Sequence, residues 1–408
     1  TRYDTIRYDT MVREPIRVPS LTPDEALQLH HEALVIDAQQ PPATSGFLFN
    51  DTMRAALADM YAAGYTLPEA HQQLLRIAAN EIQTSSAAAN EYMDVWNESG
   101  ITVGAGTYAA GNRAEIAFEE TVTQMAQARS IIDASDGRLA LIRNASDIER
   151  VYQQGTHGLI MDLQDTLPFG TDLDRIDMFH SLGLRQVQLT YNLRNLVGDG
   201  CTESNPSGVS YFGRTVIERL NALKMIVDVS HCSEPVGWDA ITYSDAPVIV
   251  SHSNAKAITY HDRAKTDELA SAIANQGGFF GVTVVPGFLT DESFVATLEQ
   301  FVDHVAHLVN IMGIDHVGVG NDKCGTGPQT GTLIEFPDGM QEDRFGTFDW
   351  SGFRPEHRVH GEYRMEDYET VRDWPNITVK LAARGFNEEE IRKLLGLNYL
   401  RVFRDIVG

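Results

Sequence analysis

The segments Met225–His231 (MIVDVSH), Pro247–His252 (PVIVSH) and Phe279–Val285 (FFGVTVV) decide the architecture. Each is a short, almost unbroken run of β-branched and aromatic residues, as expected of parallel strands covered on both faces. Working outward, similar runs occur at Leu34–Asp37, Thr102–Thr107, Gly158–Leu163, Gln186–Asn192 and His316–Asp322. Amphipathic stretches separate them, among them Leu173–Leu182, Gly213–Leu223, Lys265–Asn275 and Ser293–Met312. Strand–helix alternation repeated about eight times predicts an α/β fold, a (β/α)8 TIM-type barrel. A doubly wound open sheet is the alternative. No glycine-rich phosphate loop follows the first strand, so nothing favours a nucleotide fold.

Leu139–Asn144 (LALIRN) is one apolar run more than a barrel needs and reads as an accessory strand. Residues 40–100 are Ala-rich and helical, and they interrupt the first β/α unit. Residues 325–370 hold FDW, GFRPEHR and GEYR and follow the last strand. Insertions after barrel strands fall on the face that carries active sites. The first is expected to be an oligomer contact and the second a lid, within one domain over 1–408. The tail reads as a helix, a Gly–Leu–Asn break at 396–398, and a closing helix.

The 408 residues include 57 acidic and 32 basic side chains, a net charge of −25, with 43% hydrophobic residues. That composition excludes a disordered or low-complexity chain. The acidic excess argues against nucleic acid and anionic lipid as partners. Three scattered cysteines, Cys201, Cys232 and Cys324, form no disulfide framework and no CxxC zinc motif. No apolar run reaches the roughly 18 residues of a membrane span. A cytoplasmic location is the default expectation, although the chain begins at Thr1 and a processed leader stays open.

The chemistry lies in how the strands end. The fifth ends in His231, the sixth in His252, the eighth in Asp322, the fourth in Tyr191 and Asn192, and the third in Gln164 and Asp165. In a barrel these termini converge on one pocket. One strand-end histidine alone is ordinarily a satisfied polar cap. Two imidazoles with a carboxylate make a plausible site for Zn²⁺ or a similar divalent ion. His304 and His307, spaced i, i+3 on a helix, and His30 and His31 read as surface residues, and Cys324 as a pocket residue.

The stretches IVDVSH, VIVSHSNAKAITYHDRAKTDE, DHVGVGND and GLNYLRVF resemble the membrane (renal) dipeptidase family, peptidase family M19, of the amidohydrolase-type metal-dependent barrels. The resemblance runs from about Leu34 onward and is strongest over 155–325. It implies that His231 and His252 bind metal, that Arg263 in YHDRAK holds a substrate carboxylate, and that Asp322 is the catalytic acid/base. Tyr191 stands where the family has a carbonyl-polarising histidine. The family's first-strand HxD pair is replaced by Gln39 and Pro41 in VIDAQQPP, its bridging glutamate by Gln164, and its DFDG by DKCG with Lys323 and Cys324. A neutral amide cannot bridge two cations, so at most one metal is expected, bound by His231 and His252, with Asp322 or Gln164 as the candidate further ligand. This text is similar to a bacterial branch of the family that carries a Gln in the third strand and lacks the HxD pair.

The expected function is therefore a dipeptidase-like hydrolase cleaving an amide or other C–N bond of a small carboxylate-bearing substrate, with one Zn²⁺ or similar ion. Asp322 and Tyr191 are the expected catalytic residues, Arg263, Gln164, Asn192 and Gln39 the substrate-binding ones, and a homodimer the expected assembly. The alternatives are a metal-free acid/base enzyme (a lyase or cyclic-amide opener) and a catalytically silent small-molecule-binding barrel.

Overall fold

The computed structural model describes residues 18–39, 47–108, 114–322, 336–337, 339–341, 352–359 and 363–408. Eight parallel strands are paired in chain order: β1 (Ile36–Asp37), β2 (Val103–Thr107), β3 (His157–Leu163), β4 (Leu184–Gln188), β5 (Ile226–Asp228), β6 (Val248–Ser253), β7 (Phe279–Val282) and β8 (Val317–Val319). Leu139–Leu141 adds a short parallel strand against β3, as the extra apolar run predicted. The two ends of the sheet meet, because Ala38 N donates to Val319 O at 3.0 Å and Asp322 N to Gln39 O at 2.9 Å.

The continuous apolarity of the strands has the anticipated cause. Val227, Val229, Val248, Val250, Phe280 and Val282 pack with the surrounding helices. The alternate residues Ile36, Val103, Ala105, Ile160, Ile226 and Ile249 form a second, inner core with Tyr399 and Phe403 of the C-terminal helix Asn398–Val407. Helix ends follow local chemistry. Thr297 and Gln300 form a reciprocal capping box at the start of Leu298–Met312, and Gly100 closes Ser86–Ser99 in the left-handed region at φ 66°.

The structure corrects several boundaries and placements. The strands stop earlier than the sequence suggests: β4 ends at Gln188, before Tyr191, and β5 at Asp228, before His231. Side chains divert the backbone there; Ser230 N, for example, donates to Asp228 Oδ1 at 2.9 Å instead of extending the ladder. The tail has no break, because Lys393–Leu397 is a π-helical turn leading straight into the last helix. Gly396 permits it: a Cβ there would lie 2.3 Å from Leu34 O. His30 and His304 are fully buried, and His307 is half-buried against Asp267 at 2.8 Å. Each bonds to backbone or side chains of another element, which a helix-face reading cannot reveal.

Within 40–100 the described residues form three helices, Asp51–Ala62, Leu67–Thr84 and Ser86–Ser99. Most of 325–351, with Lys323 and Cys324, and Pro41 lie outside the described residues. Among the described residues, no helix is long and apolar enough to cross a membrane.

Candidate metal centre at the strand ends

His231 follows β5 and His252 lies in β6, both buried, with their Nε2 atoms 2.9 Å apart. The hydrogen bonds on the far side of each ring fix its tautomer. His231 Nδ1 donates to Asn192 Oδ1 at 2.6 Å, an oxygen that also accepts from the Cys201 thiol at 3.4 Å. The Ser251 hydroxyl donates to Asp228 Oδ2 at 2.5 Å, so its oxygen accepts from His252 Nδ1 at 2.7 Å. Both Nδ1 atoms therefore carry protons, and two Nε2 lone pairs face each other inside the protein. Burial, reinforced by the Arg263 guanidinium, pushes both imidazole pKa values well below the ordinary range, so neither ring is readily protonated. A cation shared by the two Nε2 atoms, or a proton on one of them, would relieve that opposition, and outer hydrogen bonds of this kind are the usual supports of metal-ligating histidines.

Asp322 completes the group. Its Oδ2 lies 3.9 Å from His252 Nε2, and one donor atom from each of His231, His252 and Asp322 falls within 4.8 Å of the others. Asp322 has φ 56°, a left-handed conformation that aspartate tolerates better than most residues and that is worth notice at a functional site. Burial raises its carboxyl pKa to about 7, against the opposing pull of Arg263 and the Gln164 amide. Gln164 Nε2 also lies 3.4 Å from His252 Nε2. Two nitrogens and a carboxylate oxygen suit one borderline divalent cation. Gln164 adds an amide but no second anionic ligand.

The remaining predicted residues take varied positions. Tyr191 stacks on His231, with ring centroids 4.2 Å apart at 22°. Its backbone N–H donates to Asp165 Oδ2 at 2.8 Å, which pins the loop after β4. Asn192 is buried, and its oxygen serves His231. Arg263 is also fully buried: Nη2 donates to His252 O at 2.8 Å and Nη1 to Ser230 O. Its guanidinium thus clasps the backbone behind both histidines. Gln39 is buried away from the histidines, beside Asp162.

Sequence reasoning missed Asp228, Ser230 and Ser251, which anchor the histidines. The signal was present, since VDVSH and VIVSH place a polar residue before each histidine on the inward face. It also missed Lys265, buried with Nζ 2.6 Å from Cys232 O, and Phe353, whose ring centroid lies 6.5 Å from that of His231.

Comparison with known proteins agrees with this barrel. The model of the membrane dipeptidase family (peptidase family M19) matches residues 25–337, and the chain belongs to that family. It is 29% identical to Dipeptidase tcpJ of Claviceps purpurea (strain 20.1) over 291 residues, 71% of this chain and 60% of that protein. It is 27% identical to Dipeptidase verJ of Clonostachys rogersoniana over 288 residues, 70% of this chain and 65% of that one. The match therefore spans under two thirds of either relative's length. Among solved structures, an amidohydrolase from Pseudomonas aeruginosa aligns with a TM-score of 0.69 and 27% identity, covering 95% of this chain and all of that one, 100%.

Proposed function

We propose that this protein is a dipeptidase-like hydrolase that cleaves an amide bond of a small, carboxylate-bearing substrate with one divalent metal, Zn²⁺ or similar, held by His231 and His252. The opposed Nε2 lone pairs at 2.9 Å carry this reading. The dipeptidase names of the fungal relatives and the family's metal-dependent character support it. A bound divalent cation would supply Lewis-acid polarisation of a carbonyl and acidification of water.

The chain's own residues supply the rest. Asp322, with a carboxyl near pKa 7, can hold or release a proton at the mouth of the site under neutral conditions, the range suited to general acid/base work. Gln164 steadies the ionised form of that carboxylate through its amide. Tyr191 shields one face of His231 and brings a phenol to the pocket as the oxyanion donor. Arg263 contributes positive charge behind the histidines, which attracts a substrate carboxylate even while its fork is engaged by backbone carbonyls. We read the 40–100 helices as the contact of a homodimer.

The test is metal content per chain by plasma mass spectrometry, on protein purified without chelator, with His231→Ala alongside. The reading expects about one transition-metal ion per chain, lost in the variant, and dipeptide turnover lost with it. Near-zero metal in both proteins, or turnover that survives metal removal, would overturn it in favour of acid/base chemistry without metal.

A further inference from the structure

The stretch GFRPEHR, residues 352–358, is held against the segments that follow β4, β6 and β7. Arg354 Nη1 donates to Thr202 O at 2.8 Å, Arg358 Nη2 to Tyr260 O at 3.1 Å and Arg358 Nε to Gly287 O at 2.9 Å. His261 Nδ1 accepts the Arg263 N–H, so its Nε2 carries the proton and donates to His357 O at 2.7 Å. Two glycines allow so close an approach. A Cβ on Gly287 would lie 1.8 Å from Arg358 O, and one on Gly352, which has φ 73°, would lie 2.7 Å from Leu193 Cγ.

These anchors set the Phe353 ring beside the histidine centre. Its centroid lies 6.5 Å from that of His231, 5.7 Å from that of His357 and 6.1 Å from that of Phe288. Phe288 and His357 are buried, whereas Phe353 is half-buried, as is Tyr191, stacked on the same His231 imidazole. The charges of the segment are engaged away from the histidines. Arg354 pairs with Glu356 at 2.6 Å and with Asp262 at 3.8 Å, and His357 Nε2 lies 3.3 Å from Asp262 Oδ2. Two aromatic rings therefore stay partly open beside His231. Apolar surface left in water gains when a ligand covers it, and aromatic faces and edges reward a close apolar or aromatic contact.

We propose that Phe353, together with Tyr191, forms an apolar subsite beside His231, and that Phe353 is the residue that sets specificity for dipeptides with a large aliphatic or aromatic side chain. The inference rests on the dipeptidase-like reading above and names the substrate class within it. Neither ring donates to a metal, and the phenol of Tyr191 has its own role, so what Phe353 adds to the site is contact area. Hydrophobic pockets distinguish side chains that differ in size by about tenfold or more. The subsite comes from the stretch that follows the last barrel strand, separate from the strand ends that carry His231, His252 and Asp322.

The readout is the kcat/KM of the full chain, purified without chelator, for Leu-Ala, Ala-Leu, Phe-Ala and Ala-Phe, each divided by that for Ala-Ala. At least one ratio should exceed unity, and Phe353→Ala should lower it about tenfold. Phe353→Leu keeps an apolar contact, should give an intermediate ratio, and serves if Phe353→Ala does not fold. Arg358→Ala, which releases one end of the segment, should lower the ratio too. Calorimetric binding of phosphinate mimics of the same dipeptides reads the subsite without turnover. A preference in binding that depends on Phe353, with no hydrolysis of any dipeptide, would sink the hydrolase reading and leave the subsite standing. Ratios unmoved by both Phe353 substitutions, no preference for a bulky side chain in the unaltered protein, or no binding of any mimic overturns the proposal.

Discussion

Arg263 Nη2 reaches the main-chain carbonyl of His252 at 2.8 Å, so the guanidinium that the family resemblance assigns to substrate is also a clamp on the strand that carries His252. Its Nη1 does the same for Ser230 O, next to His231. Arg263→Ala would leave two buried carbonyls unpaired, at about 1–3 kcal/mol each. Urea unfolding should show that loss, and metal content should fall with it. Arg263→Lys should fold better yet still bind metal more weakly, because one ammonium cannot reproduce the fork. Full metal occupancy in both variants would confine Arg263 to substrate binding.

Ser251 is the second lever. Ser251→Ala removes the acceptor of His252 Nδ1 and leaves Asp228 Oδ2 without its hydroxyl donor. Metal affinity should drop about 10–100-fold, the usual effect of losing an outer hydrogen bond to a ligand. Competition against a chromophoric chelator measures it. Affinity unchanged in Ser251→Ala would mean that the tautomer of His252 is set by something else.

The backbone around that serine is just as constrained. A Cβ on Gly281 would lie 1.9 Å from Ser251 O, and one on Gly320 2.0 Å from it. Gly320→Ala should therefore displace the His252 strand and cost both stability, by about 1–3 kcal/mol as for an overpacked core, and metal binding. Thermal melting with and without added Zn²⁺ reads both effects.

Acid should work against the fold at its buried histidines. His30 and His304 have pKa values lowered to about 4, and His261 to about 3, chiefly by burial. His261 Nδ1 accepts Arg263 N–H at 2.9 Å, and His304 Nδ1 accepts Ala255 N–H at 3.1 Å. Protonation would set two donors against each other. Because each folded pKa lies below the unfolded value near 6.5, the stabilisation is complete above that pH and is lost as pH falls toward 4, by up to about 3 kcal/mol per group. Buried carboxyls with raised pKa values, Asp37 and Asp322 at about 7 and Asp165 at about 6, take up protons in the folded state over the same range and oppose this loss. The histidine contribution is therefore read as the decline in urea midpoint between pH 7 and 4 relative to a variant that lacks it. His304→Gln, whose amide can accept and donate in the same places, should make that decline shallower.

Legibility in the sequence followed chemistry. The parallel barrel could be read from β5, β6 and β7 because strands buried on both faces must be apolar at every position. His231, His252 and Asp322 could be read because they end those runs, and the structure brings them within 4.8 Å. For Asp228, Ser251 and Asp162 the sequence marks only a polar residue inside an apolar strand, and that pattern does not say what the residue bonds to. His304 misled for the opposite reason: its helix is amphipathic, but its ring bridges Ala255 N and Leu289 O from another layer. The neutral Gln39 was noticed as a departure from the family, and only three-dimensional placement sets it beside Asp162.

The seam between the first and last strands has a consequence for biosynthesis. Ala38 bonds to Val319 and Gln39 to Asp322 across nearly the whole chain, so this contact has the largest sequence separation in the barrel wall. A ribosome emitting the chain from its N-terminus delivers both histidines well before the aspartate, and β1 must wait as an unpaired edge until β8 emerges. Long-range closure of this kind is slow and exposes partly made intermediates to aggregation. The three-donor cluster therefore cannot assemble before β8 has emerged, and a chain truncated before residue 317 would lack the carboxylate that stands beside the two imidazoles.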